Sequence, residues 1–88
     1  MNVKELEKIL KALASRRRLA IVHFLKKNRE ATVTELSEAI NLSFRSTSRH
    51  LSTLFAAGVL DKRQQSTEVY YFLSSKRHPT TAHVLSLL

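Results

Sequence analysis

Arg45, Ser48, Arg49 and Ser52 stand at i, i+3, i+4 and i+7 near the middle of the chain. Wound at about 100° per residue, they share one helical face. That face carries guanidiniums and short hydroxyls, with no acid and nothing bulky and apolar. Such a set suits a phosphate-lined groove: hydroxyls donate to phosphates or base edges, and a guanidinium forks onto guanine O6 and N7. An ordinary solvated face mixes both signs of charge, and this one does not. Thr47, Leu51, Leu54 and Phe55 gather on the opposite side as a packing face. Ser43, Phe44, Ser46 and His50 flank the polar face near its start, where a recognition helix meets the bases and its dipole end attracts anions. For His50, a phosphate contact and a structural hydrogen bond are both open.

The elements around this helix have to present it. Ser43 is its expected N-cap, and Gly58, the single glycine of the chain, suits the left-handed position that ends it. Before it, Thr34 is expected to cap a short helix over 35–40 with Leu36 and Ile40 inward, and "ATV" is a possible short strand. A short helix, a tight turn and a second helix make a helix-turn-helix, here over 34–57. "VLDKRQQ" and "EVYYFL" predict two strands joined at "QST", a hairpin over 59–73 that offers Lys62, Arg63, Gln64, Gln65 and Thr67 as further polar contacts.

"VKELEKILKALA" puts Val3, Leu6, Ile9, Leu10 and Leu13 on one stripe of a first helix. "SRRRLAIVHFLKKN" predicts a second helix, capped by Ser15 and apolar over more than half its circumference. Arg16, Arg17 and Arg18 crowd its first turn, where the dipole disfavours cations. They are either solvated, set toward an anion, or in one case paired internally with an acid. Pro79 fits the first position of a last helix with Ala82, Val84, Leu85, Leu87 and Leu88 behind it. Apolar faces at both ends of so short a chain are hard to bury within one copy. The expected fold is therefore mainly α with a small β-hairpin: five helices and a two- or three-stranded wing, in one domain over 1–88.

The chain has 88 residues, with 15 Lys and Arg against 7 Asp and Glu, for a net charge of +8. That surplus draws nucleic acid or an anionic membrane face. No apolar run approaches the roughly 20 residues that cross a bilayer, and "MNVKELEKIL" lacks the pattern of a signal peptide. Cysteine is absent, which excludes disulfides and thiolate metal sites and fits a reducing cytoplasm. His78 and His83 stand at i, i+5, off a common helical face and with no nearby acid, so neither a metal nor another cofactor is expected, the one open alternative being a site pooled from the histidines of two copies in a dimer. His23 is expected in the core or at a subunit seam. A nucleophile elbow, a phosphate-cradling glycine loop and paired carboxylates are all missing, so the chain is not expected to be an enzyme.

"LKALASRRRLAIVHFL", "ATVTELSEAI", "NLSFRSTSRHLSTLFAAGVL" and "VYYFL" together resemble the ArsR family of winged-helix repressors, from about Leu10 to Leu73. The resemblance implies a homodimeric transcriptional regulator, and the chain is expected to be a cytoplasmic, nucleoid-associated repressor that reads a palindromic operator. It implies that the helix matching 43–57 enters the major groove, that the hairpin matching 60–73 is a wing on backbone or minor groove, and that the first and last helices (1–13 and 79–88) form the dimer interface. Leu6, Ile9, Leu10, Leu13, Val84, Leu85 and Leu88 are the expected interface residues. Three features depart from the family pattern. Phe44 replaces a frequent polar residue, and either packs on the core or meets a thymine methyl. Thr47 replaces a usual aliphatic. The wing lacks the Gly and arginines common at its tip. A protein-binding winged helix and an RNA-binding domain remain the alternatives, and a small-molecule effector is undetermined.

Overall fold

The computed structural model describes residues 2–88. Its elements run α1 (Val3–Leu13), α2 (Arg16–Asn28), β1 (Glu30–Thr32), α3 (Val33–Ala39), α4 (Phe44–Ala56), β2 (Leu60–Gln65), β3 (Glu68–Leu73) and α5 (Pro79–Leu87). The sheet is antiparallel in the order β1-β3-β2, so the possible strand before the helix-turn-helix is real and makes the wing three-stranded.

Helix ends follow the local chemistry. The Ser15 Oγ accepts from the Arg18 N–H, and the Ser43 Oγ accepts from the Ser46 N–H at 3.1 Å. At the other end of α4, Gly58 takes φ 76° and donates to the Phe55 carbonyl, while Val59 donates to the Leu54 carbonyl. That pair of bonds is the Schellman arrangement. α3 starts earlier than the expected Thr34 cap. Thr32 is the N-cap, its Oγ1 accepting from the Glu35 N–H while the Glu35 carboxylate accepts from the Thr32 N–H at 2.8 Å. The reciprocal capping box outcompetes a lone hydroxyl two residues on. Between α3 and α4 the chain turns at Asn41, φ 53°, a left-handed position that asparagine tolerates well.

The core lies where α2 crosses α3, α4 and the sheet. Ile21, Val22 and Leu25 of α2, Leu36 of α3, Leu51 and Leu54 of α4, and Val59 and Leu60 at the foot of the wing are fully buried. Each such aliphatic side chain contributes about 1.5–3 kcal/mol relative to exposure, so Leu51 and Leu54 suffice to fix which way α4 faces. Phe55 departs from the expected packing face: it is 40% exposed, with the Lys62 ammonium 4.5 Å from its ring centre. It stands in the last turn of α4, beside Lys62 of the wing. Three expected interface residues, Ile9, Leu13 and Leu85, lie in the core of the protomer, because α1 and α5 pack on α2 and on each other.

Thr47 is fully buried and its Oγ1 has no hydrogen-bond partner among the described residues. A desolvated, unpaired hydroxyl costs about 1–3 kcal/mol. Thr47→Val keeps the shape and removes that cost. It is expected to raise the urea-unfolding midpoint, with a gain on the order of 1 kcal/mol; a drop would mean that the hydroxyl is bonded.

Candidate nucleic-acid interface

The contact face of α4 is open. Arg45, Arg49 and Ser52 are exposed and Ser48 is half-buried. Among the described residues the ion pairs are Lys11–Glu7 and Arg63–Glu30, and neither touches α4. The two guanidiniums therefore project from a rigid helix with no carboxylate holding them. At the start of α4, Ser43 is exposed and Ser46 half-buried, and Phe44 is 58% exposed. Phe44 does not pack on the core. It lines a hollow of about 140 Å³ with Val33, Thr34 and the wing-turn residues Thr67 and Glu68, so the start of α4 and the wing turn meet at one surface.

The wing is less cationic at its tip than the family pattern. Its two-residue turn, Ser66–Thr67, is reached by a register that pairs Gln65 with Glu68, and Ser66 takes φ 58°. Gln64, Gln65 and Thr67 are exposed there. Arg63 is occupied. Its Nη1 and Nη2 donate to the two Glu30 carboxylate oxygens at 2.7 and 2.9 Å, and Nη2 also donates to Gln65 Oε1. The guanidinium lies 4.8 Å from the Tyr70 ring centre. The hydrogen bond from Arg63 holds the Glu30 carboxyl below its usual pKa, and Glu30 in turn raises that of Arg63. This fork ties β2 to β1 across β3, and Arg63 must give it up before it can meet a phosphate. Lys62 sits low on the wing over Phe55.

Two of the three arginines at the start of α2, Arg17 and Arg18, are positioned by carbonyls. Arg17 donates to the Ile40 carbonyl at 2.9 Å, at the end of α3. Arg18 donates through Nε to Ala12 O at 2.6 Å and through Nη2 to Lys11 O, in the last turn of α1. Neither arginine pairs with an acid among the described residues. Arg18 Nη1 also lies 3.1 Å from His50 Nδ1. A guanidinium only donates, so Nδ1 must accept, and the neutral ring carries its proton on Nε2. For His50 the structural hydrogen bond is thus present, and an Nε2–H donor remains for a phosphate.

Burial, then the charges of Arg18, Arg49 and Arg17, hold the His50 pKa below the usual imidazole value. The folded chain keeps the ring neutral while the unfolded chain binds a proton below about pH 6.5. This contribution to stability is complete above that pH and is lost as pH falls through the folded value. His50→Gln keeps an acceptor and removes the titration. Its urea midpoint is expected to fall less than that of the parent chain between about pH 7 and about pH 5; parallel curves would mean that Arg18 and His50 are uncoupled.

His23 is half-buried beside Phe24 rather than in the core. The His78 Nδ1 caps α5 by accepting from the Thr80 N–H, and His83 is exposed. No group of three or more His, Cys, Asp or Glu among the described residues is placed to hold a metal, and no helix is long and apolar enough to cross a membrane.

A helix-turn-helix backed by a three-stranded wing, with an unpaired cationic face on its second helix, is the architecture of a winged-helix transcriptional regulator. The family model described as "Bacterial regulatory protein, arsR family" matches residues 15–62. The transcriptional activator HlyU of Vibrio cholerae is 40% identical over 82 residues, which cover 85% of this chain and 75% of that protein. The structure of reduced HlyU superposes with a TM-score of 0.83 over 99% of this chain and 87% of the other, at 36% identity. The cadmium resistance transcriptional regulatory protein CadC of Listeria innocua is 37% identical over 65 residues, 74% of this chain and 55% of that protein. The homodimeric winged helix-turn-helix DNA-binding domain of Mb0332 from Mycobacterium bovis matches with a TM-score of 0.82 over 97% of this chain and 75% of the other, at 26% identity. The chain belongs to the ArsR family of bacterial regulatory proteins.

Proposed function

We propose that residues 1–88 act as one unit, a homodimeric, cytoplasmic regulator that binds double-stranded DNA at a two-fold symmetric operator. The observation that carries this reading is the α4 face, whose Arg45 and Arg49 are exposed and free of carboxylates among the described residues. Arg45, Ser48, Arg49 and Ser52 enter the major groove. Ser43, Ser46 and the Phe44 ring meet the groove at the helix start, and the His50 Nε2–H meets backbone. Lys62, Gln64, Gln65 and Thr67 flank the site from the wing. Arg63 joins them only when Glu30 releases it. The bound dimer acts as a repressor by occupying its site. The two α4 helices must then reach half-sites about one or two turns apart, roughly 34 Å per turn.

The seam falls on what α1 and α5 leave uncovered. Val3 is 76% exposed and Leu10 48%, and with Leu6 and Ala14 they line an apolar hollow along α1. Leu88 stands exposed and Val84 half-buried at the end of the chain. With Ile9, Leu13 and Leu85 spent on the core, Val3, Leu6, Leu10, Val84 and Leu88 are the residues left for a second copy.

Binding should be tested by selecting duplexes from a random pool and titrating the winner at two salt concentrations. Each phosphate contact adds about −0.9 to the slope of log K against log salt. Salt-insensitive binding, or equal capture of structured RNA, overturns the reading. Arg49→Ala is expected to cost roughly 1–3 kcal/mol and to relax base preference at one position in each half-site. A uniform loss over all sequences would instead make Arg49 a phosphate anchor. Leu10→Asp, at an exposed site, is expected to leave the fold intact and to shift the mass in sedimentation from dimer to monomer.

A further inference from the structure

One face of α2 carries a groove that the DNA reading leaves unused. Arg16, Ala20, His23, Phe24 and Lys27 follow one another at helical spacing along it, and Ala39 and Ile40 of α3 form the other wall. Its volume is about 510 Å³, within the range of about 300–1,000 Å³ typical of small-molecule sites. The middle holds Phe24 and Ile40, both half-buried, with the half-buried His23 ring beside them. The ends are cationic: Arg16 and Arg17 at the start of α2, and Lys27 about 16 Å further on at a rise of 1.5 Å per residue. No carboxylate lines the groove, and Arg16 and Lys27 have no ion-pair partner among the described residues.

We propose that this groove binds a small organic carboxylate with a flat or elongated apolar body, and that occupancy is sensed by α4. The apolar body covers Phe24 and Ile40, and the carboxylate is taken up by a cation at one end. A neutral compound of the same shape leaves those cations unmet, and a bare inorganic anion leaves the apolar floor wet. The link to α4 is Arg17. Its guanidinium donates to the Ile40 carbonyl, three residues before the Ser43 cap of α4. A carboxylate bound beside Arg17 competes with that carbonyl and loosens the hold of α2 on the turn that aims α4. Binding in the groove stands apart from the DNA reading; only its consequence for operator affinity rests on it.

The test uses the full 88-residue chain, labelled with ¹⁵N and titrated separately with 2-naphthoate, 2-naphthylmethanol and inorganic phosphate. 2-Naphthoate is expected to saturate, with amide shifts at Ala20–Asn28 and Ala39–Ile40 that extend to Asn41 and Ser43. 2-Naphthylmethanol should bind about tenfold or more weaker, and Arg16→Ala with Lys27→Ala should weaken 2-naphthoate by about tenfold, a loss of about 1.4 kcal/mol, at unchanged Tm. Equal affinity for the alcohol, equal shifts with phosphate, shifts confined to the apolar strip of α1, or no saturation would each overturn the site. A second arm measures duplex affinity with the groove saturated. A several-fold change supports the coupling. Saturable binding with unchanged duplex affinity removes the coupling and leaves the site. A ligand-free chain that binds no duplex counts against the DNA reading alone.

Discussion

The structure turns on the cations of α2 and the carbonyls they cap. A helix leaves its last four carbonyls without intrahelical partners, and a helix end that lies against protein has to find donors for them. In α1, Leu10 and Leu13 accept from the Ala14 and Ser15 N–H groups, while Lys11 and Ala12 accept from Arg18. At the end of α3, the Ile40 carbonyl accepts from Arg17. At the end of α5, the Leu85 carbonyl accepts from Lys26 at 2.8 Å. Three helices thus end on side chains of one helix. The positive charge on each donor also meets the negative end of the helix dipole it caps.

This accounts for Arg17 and Arg18 of the disfavoured arginine run. Placing Arg17 and Arg18 in the first turn of α2 costs a few tenths of a kcal/mol each against their own helix dipole. A charge-assisted hydrogen bond contributes about 1.5–3 kcal/mol, and both arginines make at least one to a neighbouring helix end. The balance favours the arrangement even after discounting for solvent. It also joins distant functions. Arg18 touches the last turn of α1, whose free face is the proposed subunit seam, and His50 on α4. One side chain bridges the element proposed to pair protomers and the element proposed to face DNA.

Local chemistry was legible in the sequence, and long-range partners were not. Ser15, Ser43, Gly58 and Pro79 each carry their meaning within four residues, and all four stand at the helix ends that the residue types predict. The orientation of α4 was readable too, because Leu51 and Leu54 set its buried side. Arg17 meets a carbonyl 23 positions away, and Arg63 meets Glu30 across 33. Spacing rules say nothing at such separations. The apolar stripe of α1 posed a different difficulty: periodicity identifies a face but does not divide it. Ile9 and Leu13 went to the core while Val3 and Leu10 stayed outside, and that split depends on where α5 crosses. Thr32 displaced Thr34 because the box with Glu35 is reciprocal, a signal present in the sequence and outweighed there by the nearer hydroxyl.

The same partners sort the cations by what each would lose on meeting DNA. Arg17 and Arg18 cannot turn outward without leaving a helix carbonyl bare. Arg63 cannot do so without stranding Glu30 and the ring of Tyr70. Arg45 and Arg49 break no salt bridge among the described residues by turning to a phosphate or a guanine. Their side chains are exposed on a helix whose other side is fixed by Leu51 and Leu54. Binding cost for such groups reduces to side-chain ordering and partial desolvation. A net charge of +8 describes the chain's attraction to any polyanion at a distance. At contact, the division between engaged and unengaged guanidiniums favours Arg45 and Arg49 over Arg17, Arg18 and Arg63.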